Sequence, residues 1–261
     1  MTAVFTNASY QLIAERPEFL VVSKPSHLLV HPTKPSPVTT LIDLLRLDYP
    51  NEPLSLVNRL DRETSGLIIV ARSKEASGKM GKKLMRREVT KEYHALVYGH
   101  GTLPEQGEID APLGRLGEVG ETNIYLRQSV LPLQEGKKIY PARTSYKILK
   151  TFTRSDSDKT FHLVQLQAHT GRLHQVRVHM SYIGFPLVGD KIYGPDSNHY
   201  LTFIRENMSE ALRKDLLMDR HALHASRLNF EWDGELLTFE SPLPADMCLF
   251  MESHVIVDSS S

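Results

Sequence analysis

Asp61 stands between Arg59 and Arg62 in the stretch "LVNRLDRETSGLIIVAR", Leu56 to Arg72. An ionised carboxylate can add to an electrophilic carbon, stabilise positive charge developing beside it, or take up a proton and leave again. To stay ionised near neutral pH in a dry pocket it needs a cation within about 4 Å, because burial alone raises a carboxyl pKa. A structural ion pair would account for one acid and one arginine. It leaves the second arginine and the small-residue turn Thr64-Ser65-Gly66 unexplained. A second segment rich in chemistry-bearing side chains is "HTGRLHQVRVHMSYIGFPLVGDKIYG", His169 to Gly194. There Leu173, Val176, Met180 and Ile183 repeat at helical spacing, leaving Arg172, Gln175, Arg177 and His179 to other faces.

The elements that must position these residues can be read from periodicity and breakers. "FLVVSKP" and "HLLVHP" read as two short strands closed by Pro25 and Pro32. "TTLIDLLRLDYP" reads as a helix behind threonine caps, with Leu41, Leu44 and Leu45 on one face and Pro50 as its stop. "GLIIVAR" is a strand, "SKEASGKMGKKLMRRE" a basic helix opened by Ser73, and "KEYHALVYG" another strand. Residues 101–141, rich in Gly and Pro, read as loops and short hairpins. Strands resume at "RTSYKILK" and "KTFHLVQLQAH"; a helix follows at "RLHQVRVHMSYIG", ended by Gly184. A hairpin closes the order: "HASRLNFEW", the Asp233-Gly234 turn and "ELLTFES". Mixed strands and helices without regular alternation predict an α+β fold with a mixed, largely antiparallel central sheet and flanking helices.

With 261 residues, 41% hydrophobic and 24% charged, the chain has the composition of a soluble globular protein with a sizeable core. No apolar run approaches the roughly 18 residues of a membrane span, and the first twenty residues lack the pattern of a secretory signal. Cys248 is the only cysteine, which excludes an internal disulfide and a cysteine-rich metal site and makes a reducing cytoplasm the simplest compartment. No metal is expected: His174 and His179, at i, i+5, do not share a helical face. Net charge is zero, yet residues 58–91 carry ten Lys and Arg against four acids, and residues 205–261 carry five against eleven. A local positive field of this kind suits a phosphate backbone as well as it suits a solvated helix face.

The motifs together resemble the RluA-type pseudouridine synthases. They are "VVSKPSHLLVHP" (Val21–Pro32), "NRLDRETSGLIIVAR", "KEYHALVYG" (Lys91–Gly99), "ARTSYKIL" (Ala142–Leu149), the arginine helix, and "LHASRLNF" (Leu223–Phe230), in that order over roughly residues 18 to 245. The resemblance implies a mixed-sheet catalytic fold with a central cleft and cofactor-free isomerisation of uridine in RNA to pseudouridine. It makes Asp61 the catalytic carboxylate, Arg177 its pairing cation and Tyr93 the residue packed on or near the target base, with Arg59 against the RNA where that base has flipped out. Arg62, Thr64, Arg172, His174 and Gln175 on the two motifs, and Lys83 and Arg86 on the basic helix, are expected at the RNA. Asn58 departs from the family pattern, which usually has histidine there, and is expected to alter RNA contacts without abolishing activity.

The chemistry agrees with this family. Breaking the uracil C1′–N1 bond and rejoining the ring through C5 needs a group that adds or stabilises and then leaves, as a carboxylate can. Flipping the base out costs about a few kcal/mol, and stacking returns on the order of 1 to 3 kcal/mol. The expected organisation is a catalytic domain over 18–245, an N-terminal extension 1–17 and a C-terminal tail 246–261, acting as a monomer on a ribosomal or transfer RNA stem-loop, away from membranes. Two other classes use similar residues. A hydrolytic nucleoside or glycosidic-bond enzyme would normally need a second acid, for which Glu63 is the close candidate; a non-catalytic RNA-binding protein would not need both Asp61 and Arg177.

Overall fold

The computed structural model describes residues 9–31, 38–116, 122–153, 158–252 and 255–256. Pro32 of the "VHP" motif and the tail from 257 lie outside them. The chain falls into two compact units, residues 1–91 with 224–242, and residues 92–223 with 243–261.

In the first unit the strand Ser65–Ala71 is buried at all seven residues. Its alternate side chains feed two cores. Leu67 and Ile69 join Phe19, Val21, Met80, Phe230 and Trp232 on one face. Ile68 and Val70 join Leu20, Val22, Leu41 and Leu45 on the other. A strand covered on both faces reads as a continuous apolar run, and each of these side chains contributes roughly 1.5 to 3 kcal/mol by burial. Phe19–Lys24 pairs antiparallel with it along one edge, and Gln11–Glu15 pairs antiparallel with Phe19–Lys24, so residues counted as an extension add a strand to the sheet. On the other edge Leu223–Trp232 runs parallel, with His224 opposite Ser65 and Ala225 opposite Gly66, and carries the antiparallel Glu235–Glu240. The sheet is therefore mixed, as expected.

The helix Leu41–Asp48 buries Leu41, Ile42 and Leu45. At its start the Asp43 carboxylate accepts from the Thr40 N–H at 3.0 Å and the Thr40 hydroxyl at 2.6 Å. "HLLVHP" does not form a strand. It makes one bridge, Leu29 to Thr40, because both edges of Phe19–Lys24 are already occupied. The carbonyls of Leu29 and Val30 instead accept the N–H groups of Leu41 and Ile42, which a helix's first turn leaves unpaired.

In the second unit Thr160–Ala168 lies antiparallel between Val89–Gly99 and Arg143–Thr153. Gln106–Asp110 pairs with one part of Arg143–Thr153 and Val255–Ile256 with another. The Gly- and Pro-rich middle supplies a small sheet of Gln128–Val130, Leu113–Arg115 and Ile139–Tyr140. Three helices had no counterpart in the sequence reading: Asn198–Glu206, Glu210–Leu216 and Ala245–Glu252. The last includes residues assigned to a tail, yet Met247 and Phe250 pack into one cluster with Phe152 and Phe161. Beside them Arg220 makes a bidentate pair with Asp246 at 2.6 and 2.9 Å.

Candidate active site

Asp61 sits half-buried on a loop whose first root is bonded to the strand Ser65–Ala71 and whose second root leads into it. At the first root the Val57 N–H donates to the Ile69 carbonyl at 2.9 Å. The Asn58 side chain then donates from Nδ2 to the Leu67 carbonyl at 3.3 Å and accepts the Ile69 N–H on Oδ1 at 2.7 Å. Its amide thus fills the strand edge between Ser55–Leu56, which pairs with Val70 and Ala71, and Leu223–Trp232, which pairs with Ser65 and Gly66. Asn58, expected to alter RNA contacts, has both ends of its amide bonded to backbone. At the second root the Thr64 N–H donates to the Asp61 carbonyl at 3.2 Å. Ser65 Oγ lies 2.9 Å from His224 Nδ1, and His224 Nε2 donates to the Ser241 carbonyl at 3.1 Å. With Nε2 as the donor, a neutral His224 accepts the Ser65 hydroxyl proton on Nδ1.

The small-residue turn has a steric cause. Gly66 has φ +109, and a Cβ there would lie 2.2 Å from the Ala225 carbonyl oxygen. Only glycine allows that backbone approach. Lys24, almost fully buried, donates from Nζ to the carbonyls of Pro25, Leu28 and Arg62 at 2.8, 3.0 and 3.1 Å. The aspartate loop is thereby tied to the turn after Phe19–Lys24 as well. Arg59 and Arg62 are exposed, and Arg62 Nε donates to the His27 carbonyl at 3.3 Å. Thr64 is buried.

In the second unit the helix Gln175–Tyr182 is buried on every face along Gln175, Val176, Arg177, Val178, His179 and Met180. The expected one-sided stripe is not what forms, and Leu173 precedes the helix at 44% exposure. The polar positions are buried because each has partners. Arg177 donates from Nε and a terminal nitrogen to the two oxygens of Asp190, at 2.7 and 2.9 Å. Asp190 also accepts the N–H groups of Ile192 and Tyr193, at 3.0 Å each. Burial alone would raise the Asp190 pKa, but the Arg177 charge and hydrogen bonds hold the carboxyl well below its usual range. The acid that Arg177 meets inside its own unit is thus Asp190, which the motif reading passed over. "GDKIYG" did contain the signal, an acid followed by two residues whose amides can fold back onto it.

Gln175, expected at the RNA, is turned inward. Its Oε1 accepts from the Thr170 hydroxyl and the Arg172 N–H at 2.6 and 3.1 Å. Its Nε2 donates to the Arg143 carbonyl and Thr144 Oγ1 at 2.9 and 3.0 Å. Thr144 lies 2.9 Å from His179 Nδ1, and His179 Nε2 donates to the Ala111 carbonyl at 2.9 Å. Burial lowers the His179 pKa, with the Ala111 bond opposing it in part. A folded pKa below the unfolded value of 6.5 means that the neutral ring's contribution is complete above about pH 6.5 and is lost as pH falls through the folded value. Urea midpoints of the wild type are expected to fall between about pH 7 and pH 5, and His179→Gln to show a flatter fall. Equal slopes in the two proteins would refute this.

Tyr93 is half-buried on Val89–Gly99, opposite Leu166, and packs against a core that includes Ala95, Val164, Leu166, Val176 and Met180. His174, at φ 56, places Nδ1 2.8 Å from the Tyr193 hydroxyl. Arg172 is exposed, donates from Nε to the Pro141 carbonyl at 3.2 Å and lies over the Tyr140 ring.

The basic helix forms as Lys74–Met85, with the Ser73 hydroxyl accepting the Ala76 N–H. Part of its charge is neutralised within the first unit. Lys79 pairs with Asp233 and sits 4.1 Å from the centre of the Trp232 ring. Lys83 pairs with Glu88 at 3.4 Å, while Arg86, 3.9 Å from the same carboxylate, stays largely exposed. Lys82 and Arg87 are exposed too. Among the described residues no three His, Cys, Asp or Glu side chains converge as a metal site would need, and no helix is long and apolar enough to cross a membrane.

Residues 18–182 match the family described as RNA pseudouridylate synthase. An uncharacterized RNA pseudouridine synthase of Chloroflexus aurantiacus is 36% identical over 86% of this chain and 63% of its own length. The ribosomal large subunit pseudouridine synthase D of Vibrio parahaemolyticus is 34% identical over 93% of this chain and 70% of its own length. The chain therefore spans about two thirds of the curated relatives it matches. Among solved structures, human RNA pseudouridylate synthase domain containing 1 superposes with a TM-score of 0.71 at 26% identity, covering 96% of this chain and 89% of that one. With the aspartate loop, the arginine helix and the strand topology all in place, the chain belongs to the RNA pseudouridylate synthase family.

Proposed function

We propose that this chain isomerises uridine in RNA to pseudouridine, with Asp61 as the reacting carboxylate. The observation that carries this reading is the loop itself: an acid held half-exposed between two exposed arginines, with the first root bonded to a fully buried strand and the second running straight into it. Such a mounting gives a reacting group a defined position at little entropic cost. The C1′–N1 bond of the target uridine breaks, the uracil turns, and C5 joins C1′; the C5 proton is lost and N1 regains one, so no cofactor or net redox change is needed. Arg177 supplies positive charge for the step, Tyr93 an aromatic face for the base, and Arg59 the contact in the space the base vacates. Arg62, Arg172, Lys83 and Arg86 contribute positive charge for the RNA backbone.

The substrate class is ribosomal RNA presented as a looped stem, a choice supported by the name of the Vibrio relative. The work is that of a monomer in the cytoplasm. The test is transcriptome-wide pseudouridine mapping in cells with and without the protein, followed by turnover on the RNA found. Loss of one or a few sites in the deletion, restored by the purified protein in vitro, is expected. An unchanged map, or release of free uracil, would overturn the reading.

A further inference from the structure

The first unit contains an open groove of about 560 Å³, of whose lining the reaction as proposed uses Arg59 alone. Its floor includes Leu54 and Leu56, and its rim is formed by Arg46, Arg59, His31 and Ser55. Arg46 comes from the last turn of Leu41–Asp48, and Arg59 from the first root of the aspartate loop. Among the described residues no acidic side chain lines it. Neither guanidinium comes within ion-pair distance of a carboxylate among the described residues, although the Asp43 carboxyl on the same helix feels the charge of Arg46; Arg72, by contrast, has its guanidinium taken by Glu15 and Glu52. A groove with two cations on its rim, a hydroxyl and an imidazole between them, and leucines beneath offers phosphate contacts and an apolar surface together. An RNA duplex presents the phosphates but keeps its bases stacked inside, whereas an unpaired nucleotide presents both. The volume lies within the range of small-ligand pockets and has room for a nucleotide. Arg59 stands two residues before Asp61, so one lining residue of the groove belongs to the first root of the aspartate loop.

We propose that this groove is a subsite for an unpaired nucleotide adjoining the target uridine on the same RNA strand, with Arg46 on its phosphate and its base on the leucine floor, Arg59 keeping its place in the space the target base vacates. The proposal rests on the chain acting on RNA, and its test separates the two claims. Binding of a fluorescein-labelled oligouridylate and of a blunt RNA duplex is measured against salt for the wild type, Arg46→Gln and Arg46→Lys. Arg46→Gln is expected to bind the oligouridylate about five- to tenfold more weakly, with a salt slope shallower by about 0.7. Duplex binding should be unchanged, and Arg46→Lys should restore most of the slope. On the RNA identified by mapping, Arg46→Gln should raise KM and leave kcat at saturating RNA unaltered. An Arg46→Gln protein with unchanged affinity and slope, or with equal losses on duplex and oligouridylate, would overturn the subsite. Because the binding arms need no turnover, they read out even if no RNA is isomerised.

Discussion

Asp61→Asn is expected to fold, to bind RNA with near wild-type affinity, and to make no pseudouridine. The loop is held through the Asn58 amide, the Thr64 N–H and Lys24 Nζ, and the bond from Thr64 ends on the Asp61 backbone carbonyl. Replacing the carboxylate by an amide of the same shape leaves those anchors in place while removing the charge that adds to, or stabilises, the reacting sugar or base. A reacting group that is removed outright costs at least about 10⁴-fold in turnover. The check is single-turnover pseudouridine formation with excess enzyme, alongside far-UV circular dichroism and RNA affinity. Turnover within about tenfold of the wild type in protein free of wild-type contamination would remove Asp61 from the reaction. A protein that loses RNA binding as well would show that the carboxylate serves binding.

Arg177→Met is expected to be among the most destabilising single substitutions in the chain, and the reason is Asp190. The carboxylate is fully buried, and the methionine would leave it without the two charged hydrogen bonds at 2.7 and 2.9 Å. Removing one partner of a buried pair costs about 3 to 5 kcal/mol, a thermal midpoint lower by roughly 10 °C in a chain of this size. The pH dependence fixes the cause. In the wild type the Asp190 pKa is lowered, so the pair's contribution is present above the unfolded carboxyl value and is lost only as pH falls through the folded one. In Arg177→Met, burial is opposed only by the Ile192 and Tyr193 amides and the more distant His221 and raises that pKa, so the sign reverses and the deficit is largest at neutral pH and shrinks as pH approaches 4. The double variant Arg177→Met with Asp190→Asn should be less unstable than the two single losses added together, since each removes a partner the other needs. Strict additivity, or a deficit independent of pH, would show that the two side chains do not act as a unit.

Much of the fold around the candidate site could be read from the linear sequence. Asp61, Arg177, Tyr93 and Arg59 stand in the motifs that carry the family resemblance, and the small-residue turn "TSG" stood out before an apolar run, although its steric cause, the approach of Gly66 to Ala225, came from the structure. The strand Ser65–Ala71, the helix opened by Ser73 and the hairpin at Asp233-Gly234 were legible because their signals are local: apolar runs, a hydroxyl at the helix start, a residue pair that tolerates positive φ. What remained hidden concerns partners. Asn58 and Gln175 read as polar residues near a substrate, and both spend their amides on backbone and side-chain groups inside the protein. Arg177 read as the cation on one side of an amphipathic helix, whereas the helix is buried all round and the arginine is held by Asp190, thirteen residues on. Periodicity reports which faces are apolar. It cannot report that a buried polar face will be satisfied, because that depends on which carbonyls, amides and carboxylates the fold brings within about 3 Å. The motifs and the resemblance they carry named the candidates; the hydrogen-bond partners that leave some of them facing outward and spend others on holding the scaffold were set by the tertiary structure alone.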